Sequence, residues 1–420
     1  MKILFKQVTI LDIASSYHLQ TVDVLVENGV ITKIENTINE LADTTIIENC
    51  LHLSTGFLDV FAHFNDPGYE QKETLITGAK AAQKGGYTSV MIVPNTNPVI
   101  NSKTSIEYVL QQCKNLPINI LPIGSITTNN DGATLAQMIE MNTAGAVAYS
   151  DGLHPIKENS LLLKALQYVK IFDGTVIQIP TDATTPYQAQ VNESITATQL
   201  GLQGMPSVLE YIMVATNVEL CAYTNSKLHI TGVSTAKSMA IITAAKQQNV
   251  GVTCSVSPYH LLLHDAEINT YNTNAKVNPP LRSEADVMAL QNALVQGDID
   301  CIASHHFPQE QDAKQCEFAA AQFGMSTIEH TFNAIATVPN ISPVRVYEVL
   351  SYMPHLLFNQ PTTTIAVGNA CVVTAFTLNS STAINANEFV SKSNNSAFVG
   401  KVLKGKIVAT INGNYNYINK

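Results

Sequence analysis

Apolar and polar residues alternate in short segments near both ends of the chain, which is the pattern of β-strands with one buried face. These strand-like segments are residues 8–11, 21–26, 30–34, 370–378 and 406–411. Turn signals occur at Glu27-Asn28-Gly29 and at Asn412-Gly413-Asn414. Each end alone has too few strands for a stable sheet. We therefore predict that residues 1–55 and 363–420 form one composite β-sandwich domain.

Between these ends, short β-branched runs alternate with longer amphipathic stretches. The runs that favour buried strands are residues 89–93, 119–123, 145–149, 175–179, 227–230, 250–254 and 300–303. The intervening stretches, such as 203–223 and 235–248, place apolar residues at helical spacing. Repeated alternation of strand and helix indicates a parallel α/β architecture, and the number of units favours a (β/α)8 barrel over an open sheet. We assign this barrel to residues 56–362.

Composition excludes several classes of protein. Of the 420 residues, 45% are hydrophobic, which is enough for a large core, and only 13% are charged. The formal net charge is −10 and Lys and Arg do not cluster, so we expect no nucleic-acid partner. The apolar runs are too short for a membrane span or a signal peptide. The seven cysteines include no Cys-x-x-Cys pair, which indicates reduced thiols in a cytoplasmic protein.

Polar motifs follow the predicted strands, at the end of a barrel where catalytic residues are found. In chain order they are residues 56–68, 72–74, 85–88, 94–98, 150–152, 233–235, 276–282 and 317–324. The most specific are Pro-Asn-Thr-Asn-Pro at 94–98 and Asn-Pro-Pro-Leu-Arg at 278–282. Together, and in this order, the motifs closely resemble dihydroorotase, of the cyclic amidohydrolase family, over nearly the whole chain.

The resemblance implies a metal-dependent barrel in which a zinc-bound hydroxide attacks the ring amide carbonyl of dihydroorotate, or in which the reverse condensation runs. Zinc lowers the pKa of its bound water to about 7 and so supplies a nucleophile at neutral pH. The family binds its metals through neutral imidazoles and carboxylates that converge on one point. A carboxylate at the end of the last strand handles the proton.

The first strand of the barrel departs from the family pattern. Family members end this strand in His-x-His, with an Arg two positions further on, whereas this chain has Phe61, His63 and Asn65. A phenyl ring offers no lone pair to a metal. Asn65 replaces the Arg that would bind the substrate carboxylate through two parallel hydrogen bonds. One metal ligand and one substrate contact are therefore missing.

Two further ligand positions and the catalytic base also differ. Gln178 stands in place of a ligand histidine, and Gly232 stands at the second histidine of a His-x-x-His motif that begins at His229. His305 replaces the catalytic aspartate of the last motif. Glutamine is a poor zinc ligand and glycine has no side chain. Asp151, in contrast, retains a carboxylate ligand of the family.

We interpret the chain as a degenerate dihydroorotase that has kept the fold and lost the catalysis, and we expect no resident cofactor. His63, Asp151 and His305 remain at ligand positions and could still form a mononuclear zinc site with an open position. The opposing interpretation is that each is now an ordinary polar residue with hydrogen-bond partners. A metal-free role of His305 as general base would lack an electrophile to activate the amide.

Asn65, Asn95 and Asn278 mark the predicted remnant of the substrate pocket. Asn95 and Asn278 match family residues that bind the substrate, which favours a cavity that still holds a small anion or amide. The alternative is that their proline-containing motifs are scaffold turns, in which asparagine side chains bind backbone groups. The sequence leaves both interpretations open.

The resemblance supplies a precedent for the function of such a chain, because inactive dihydroorotase-like chains serve as structural partners of aspartate carbamoyltransferase. We take this partnership as the leading hypothesis and expect a homodimer. One alternative is an active dihydroorotase, or another cyclic amidohydrolase, with an atypical one-metal site. The other is a non-catalytic binder of a pyrimidine precursor.

Overall fold

A computed structural model describes residues 1–181 and 189–419. The strands are β1 Lys2–Leu11, β2 Thr21–Glu27, β3 Val30–Glu35, β4 Thr44–Ile46, β5 His52–Thr55, β6 Phe57–Ala62, β7 Tyr87–Ile92, β8 Asn119–Gly124, β9 Ala148–Tyr149, β10 Thr175–Gln178, β11 Val191–Asn192, β12 Gly204–Met205, β13 Lys227–Thr231, β14 Val252–Val256, β15 Cys301–Ile302, β16 Val372–Ala383, β17 Val402–Asn412 and β18 Tyr415–Ile418. The α-helices are α1 Leu75–Lys84, α2 Lys103–Gln112, α3 Met138–Ala144, α4 Asn159–Val169, α5 Ile195–Leu200, α6 Ser207–Thr224, α7 Ala236–Gln247, α8 Glu284–Gln296, α9 Thr331–Thr337, α10 Pro343–Tyr347 and α11 Met353–Leu357. Shorter helical segments are a π-helical turn at Glu348–Tyr352 and 3-10 helices at Lys170–Phe172, Tyr259–Leu261, Asp265–Ile268, Thr273–Ala275, Gln311–Ala313, Ile328–His330 and Ala386–Glu388. None of the helices in these described ranges has the length and apolar composition needed to cross a membrane.

The strands from the two ends of the chain share one sheet. Its order is β18-β17-β16-β5-β1-β2-β3, with β4 paired to β1, so β16 lies directly beside β5. Val8 and Ile10 of β1 are fully buried, and Thr9 between them is only half-buried, as alternation along a strand predicts. A register shift between Phe5 and Val8 allows the fully buried Phe5 to share the apolar face of Val8 and Ile10. These side chains belong to one apolar cluster with residues of β16 and β17, such as Val373. The two ends of the chain therefore depend on a common core.

Eight parallel strands in the described part of the chain form a barrel, in the order β6-β7-β8-β9-β10-β13-β14-β15. A parallel bridge between Ala62 and His306 joins the region after β15 to β6. Every residue of β6 and β7 is buried, because the barrel interior covers one face and helices cover the other. The predicted (β/α)8 barrel is therefore confirmed.

Two element boundaries differ from the prediction. The helix expected over 203–223 begins only at Ser207, and Gly204–Met205 instead pairs with Val191–Asn192 as a small parallel sheet. Pro206 explains this boundary, since its φ is −59° and the N–H that it lacks would have no helical partner at this position. The strand expected over 145–149 is only Ala148–Tyr149, because Gly145 still caps α3 in a left-handed conformation with φ 111°.

A buried ion pair ties α6 to the loops at the C-terminal end of the barrel. Nη2 of Arg282 lies 3.2 Å from Oε2 of Glu210, and the two side chains are 2% and 1% exposed. Oε1 of Glu210 also accepts hydrogen bonds from the backbone N–H groups of Ser234 and Thr235, both at 3.0 Å. The pair therefore holds the loop after β13 against the motif at 276–282.

Candidate functional site

A cavity of about 220 Å³ lies at the C-terminal end of the barrel strands. His63 follows β6 directly and His305 comes shortly after β15, and both lie on the cavity wall. The lining residues are His63, Lys72, Leu153, Tyr259, Val277, Asn278, His305, Phe307, Gln309, Gln322, Phe323 and Gly324. Among the described residues, this set contains two imidazoles, three amides and one lysine but no acidic side chain.

Phe61 occupies the first altered ligand position and is fully buried beside the cavity. The centroid of its ring lies 4.9 Å from that of His305 and 5.8 Å from that of His63. Both imidazoles thus have an apolar neighbour in the place of a metal ligand. Burial lowers the pKa of His63 well below its ordinary value, and the nearby His305 adds to this effect. The His63 ring is therefore neutral at pH 7.

Gly232 and His305 are complementary in shape. Gly232 has φ +76°, and a Cβ built on it would lie 2.8 Å from Cε1 of His305 and 3.1 Å from its Nε2. These distances are well below the optimal carbon separation of about 3.5–4.0 Å. The imidazole of His305 therefore occupies the space next to position 232. The two departures from the family pattern, Gly232 and His305, are therefore direct neighbours in space.

A chain of hydrogen bonds leads from the barrel interior to His305. Nδ1 of His229 pairs with Oγ1 of Thr253 at 2.9 Å, and its Nε2 pairs with Oγ of Ser255 at 3.0 Å. The Ser255 hydroxyl donates to Oγ1 of Thr231 at 2.8 Å, and this oxygen lies 2.8 Å from Nε2 of His305. Burial lowers the pKa of both imidazoles to about 3, so both rings are neutral at pH 7.

His305 is held at one ring nitrogen. Its Nε2 lies 2.8 Å from Oγ1 of Thr231, and either atom can be the donor in this bond. Oγ1 of Thr231 also accepts the proton of the Ser255 hydroxyl. A neutral imidazole offers one donor and one acceptor nitrogen, so His305 is an uncharged polar ring at the position where the resemblance implies a carboxylate.

Asp151 keeps the family's carboxylate, but its oxygens bind a neighbouring loop. Oδ1 accepts hydrogen bonds from the backbone N–H groups of Ile126 at 2.9 Å and Thr127 at 2.8 Å, and from Oγ of Ser125 at 3.0 Å. The Thr127 hydroxyl donates to Oδ2. Asp151 does not line the cavity that His63 and His305 share. The structure thus gives Asp151 the role of fixing a loop.

Gln178, the last residue of β10, is also buried at its altered ligand position. Its Oε1 accepts a long hydrogen bond of 3.4 Å from the backbone N–H of Ile156. Its Nε2 has no partner in the described part of the chain. The amide therefore contacts the loop before α4 and does not lie on the cavity wall.

The three asparagines predicted to mark a substrate pocket have separate roles. Asn278 lines the cavity, and its buried Oδ1 has no partner in the described residues. Asn95 instead joins two loops, since its Nδ2 donates to the Asp151 carbonyl at 3.0 Å and its Oδ1 accepts from the Leu153 N–H at 3.1 Å. Asn65 is buried with φ 59° and does not line the cavity. Of the three, Asn278 alone borders the space that a ligand would occupy.

The donor groups do not fit the dinuclear zinc centre that the resemblance implies. Within the described ranges, no group of three or more His, Cys, Asp and Glu side chains is arranged to hold a metal ion. His63 and His305 share the cavity wall, but Asp151 does not join them there. Zinc sites need three or four such donors around one point.

Comparison with known proteins decides the family. A family model described as Dihydro-orotase-like matches residues 52–238. A dihydroorotase from Ruminiclostridium cellulolyticum is 36% identical over 100% of this chain and 99% of its own length. Another from Acetivibrio thermocellus is 38% identical over 93% of each chain. This chain belongs to the dihydroorotase family. The family predicted from the strand-end motifs is confirmed.

Solved structures share the fold of this dihydroorotase-family chain. An L-hydantoinase (dihydropyrimidinase) from Arthrobacter aurescens matches with a TM-score of 0.82 at 20% identity, over 97% of this chain and 94% of that one. A dihydropyrimidinase from Brevibacillus agri matches with a TM-score of 0.83 at 18% identity, over 100% and 95%. At this level of identity the likeness shows the cyclic amidohydrolase fold alone.

The motif at 72–74 contributes Lys72 to the cavity, a residue that sequence reasoning did not assign to the site, whereas Glu73 does not line the cavity. Lys72 lines the cavity, and its Nζ lies 5.5 Å from the ring centroid of Tyr69 and 5.8 Å from that of Phe307. Glu73 is buried, with Oε2 3.4 Å from Nε2 of His306. The position of this motif near a strand end was a signal that the sequence offered. That position does not show which residues the two side chains contact.

Proposed function

We propose that this chain is a dihydroorotase-type protein of pyrimidine biosynthesis that does not hydrolyse dihydroorotate and that serves as a structural partner of aspartate carbamoyltransferase. The contact between Gly232 and His305 carries the first part of the proposal. One imidazole takes the place of the catalytic carboxylate and fills the space beside an absent ligand. The full-length relatives named dihydroorotase support the pathway, and the family precedent supports the partner.

The chemistry of the cavity wall supports the loss of catalysis. Hydrolysis of an unactivated amide needs an electrophile at the carbonyl oxygen and an activated water. The resemblance assigns both tasks to zinc, whereas Phe61 has no donor atom to hold it. His305, with its pKa lowered by burial to about 3, places a neutral imidazole where the resemblance implies a catalytic carboxylate. These residues therefore favour a scaffold over an enzyme.

The purified protein is expected to turn over neither dihydroorotate nor carbamoyl aspartate above background, with or without added zinc. Incubation with EDTA is expected to leave the melting temperature unchanged, because no bound metal would stabilise the folded state. Metal content, turnover and melting temperature are measured on one sample by elemental analysis, an enzyme assay and a thermal melt. The dihydroorotase from Ruminiclostridium cellulolyticum, prepared in parallel, is the positive control. Stoichiometric zinc together with turnover would contradict the proposal.

Aspartate carbamoyltransferase from the same organism is expected to co-purify with this chain and to lose stability or activity when the chain is removed. Some apolar side chains are open to solvent and available to a partner, among them Ile195, Ile212 and Tyr223 at 79%, 54% and 78% exposure. Light scattering of the separated and recombined proteins, combined with a transferase assay, measures the effect. A transferase that assembles and works fully without this chain would disprove the partnership and leave the loss of catalysis standing.

A second candidate is an active dihydroorotase, or another cyclic amidohydrolase, with one metal. It is favoured by the 36% identity over the full chain to a protein named dihydroorotase. It is also favoured by the shared position of His63 and His305 on the cavity wall. One zinc ion per chain, with turnover that is lost in His63→Ala, would establish it.

A further inference from the structure

A second cavity, of about 500 Å³, shares the wall residue Gln309 with the cavity of the candidate site. Its wall consists mainly of serine, threonine and amide side chains, and its charged residues in the described part of the chain are Lys314, Lys392 and Glu310. We propose that Lys314 is a site of N-acylation by small acyl phosphates that enter this cavity. This inference goes beyond the proposed function and does not depend on it.

Lys314 is buried without a counter-charge. It is 4% exposed, and its Nζ donates to the carbonyl oxygens of Thr273 at 3.0 Å and Lys276 at 3.4 Å. Among residues 1–181 and 189–419, no carboxylate lies within ion-pair distance of this nitrogen. A neutral amine has two N–H bonds and one lone pair, so the two carbonyl oxygens satisfy both donors and leave the lone pair free.

The surroundings of Lys314 favour this neutral amine. Burial lowers the pKa of Lys314 to about 7, and the nearby Lys276 adds to this effect, whereas Cys316 on the same segment opposes it. Nζ of Lys276 donates to the backbone oxygens of Phe318 at 2.8 Å and Ala319 at 3.0 Å. About half of the Lys314 amines are therefore neutral at pH 7, compared with about one in 2,500 for a lysine of ordinary pKa.

Acylation of Lys314 needs no reactant besides the acyl phosphate. The lone pair of Nζ attacks the carbonyl carbon, a C–N bond forms, and the C–O bond to the phosphate breaks. The phosphate leaves with the electron pair of that bond, and the nitrogen releases one proton to water. Removal from water and a neighbouring cationic group are the two features that make a lysine nucleophilic. The ammonium of Lys392 and the amide N–H groups on the cavity wall suit an anionic acyl donor.

The test is acetylation of the full chain by acetyl phosphate between pH 6 and pH 9, with peptide mass spectrometry to measure each lysine separately. At pH 7, Lys314 is expected to react about 10- to 100-fold faster than Lys392, which is exposed on the wall of the same cavity. The rate at Lys314 is expected to rise through pH 7 and to level off above about pH 8, because the amine is then mostly neutral. A lysine of ordinary pKa continues to gain rate up to pH 9.

Lys276→Gln tests the influence of the neighbouring charge while Lys314 itself is unchanged. Because Lys276 lowers the pKa of Lys314, its removal is expected to slow acetylation at pH 7 and to move the half-maximal rate to a higher pH. Lys237→Gln removes an exposed lysine of α7 outside the cavity and is expected to leave the Lys314 profile as in the parent. Lys276→Met replaces Lys276→Gln if the latter does not fold.

The pH profile of the parent protein decides the proposal without any variant. Acetylation of Lys314 at pH 7 that is no faster than that of Lys392, or that still rises steeply between pH 8 and pH 9, overturns it. Faster acetylation that levels off above about pH 8 supports it. An unchanged Lys314 profile in both Lys276 variants overturns the role given to the neighbouring charge. None of these results depends on dihydroorotate turnover or on a transferase, so the proposed function is tested separately.

Discussion

Gly232→Ala is expected to lower the free energy of unfolding by about 2–5 kcal/mol, although it adds only one methyl group. Part of the loss comes from the backbone, because φ is +76° and this region costs an L-residue about 1–2 kcal/mol. The remainder comes from the new Cβ, which would lie 2.8 Å from Cε1 of His305. Overpacking of a filled interior typically costs about 1–3 kcal/mol. Urea unfolding followed by circular dichroism measures the total.

Gly201→Ala is the matched control for the backbone contribution. Gly201 has φ +66°, and apart from its chain neighbours no atom of the described residues lies within 4 Å of its would-be Cβ, so a loss of about 1–2 kcal/mol is expected. In a His305→Ala background, Gly232→Ala is expected to cost a similar amount. The double-mutant cycle should therefore give a coupling of about 1–3 kcal/mol between the two sites. Equal losses of unfolding free energy in Gly232→Ala and Gly201→Ala, each made in the parent protein, would contradict the predicted clash with His305.

The contact between positions 232 and 305 limits which family residues can be restored singly at the altered metal centre. A histidine restored at 232 would project toward the space that the ring of His305 occupies. Restoring that ligand alone therefore introduces a clash, and restoring an aspartate at 305 alone leaves a cavity beside a glycine. The two family residues fit together only when both return.

Arg282→Met is expected to lower the free energy of unfolding by about 3–5 kcal/mol, because it leaves the Glu210 carboxylate buried without its counter-charge. The two side chains are 2% and 1% exposed and their charged atoms lie 3.2 Å apart. Adding Glu210→Gln to the Arg282→Met variant is expected to recover part of the lost free energy of unfolding. Gln removes the charge and keeps an acceptor for the N–H groups of Ser234 and Thr235.

Lys227→Met is the control for an exposed ion pair. Lys227 and Asp173 lie 2.6 Å apart, closer than the buried pair, but their side chains are 42% and 71% exposed. Exposed pairs contribute about 0–1 kcal/mol, so this variant is expected to unfold nearly as the parent does. A loss in Arg282→Met as small as in Lys227→Met would show that the buried pair does not hold the loops of the barrel.

The barrel follows from the sequence because its signals are local. Runs such as 89–93 and 175–179 are apolar and β-branched since both faces of a barrel strand are covered, and the segments between them have helical spacing. The family followed from motifs such as Pro-Asn-Thr-Asn-Pro at 94–98, which need no partner to be identified. The altered residues Phe61 and Gly232 were also visible, because a missing donor atom is a property of the residue itself.

Only the tertiary structure decided what the remaining polar residues do. Asp151 and Asn95 keep the family's residue types, yet the loop at 125–127 and the Leu153 N–H use their polar atoms. Thr231 and His305 are 74 positions apart, yet Oγ1 of Thr231 lies 2.8 Å from Nε2 of His305 and occupies that ring nitrogen. A residue's identity limits which bonds its side chain can form. The partner that takes each bond is a neighbour in space, and the packing of strands distant in the chain determines that neighbour.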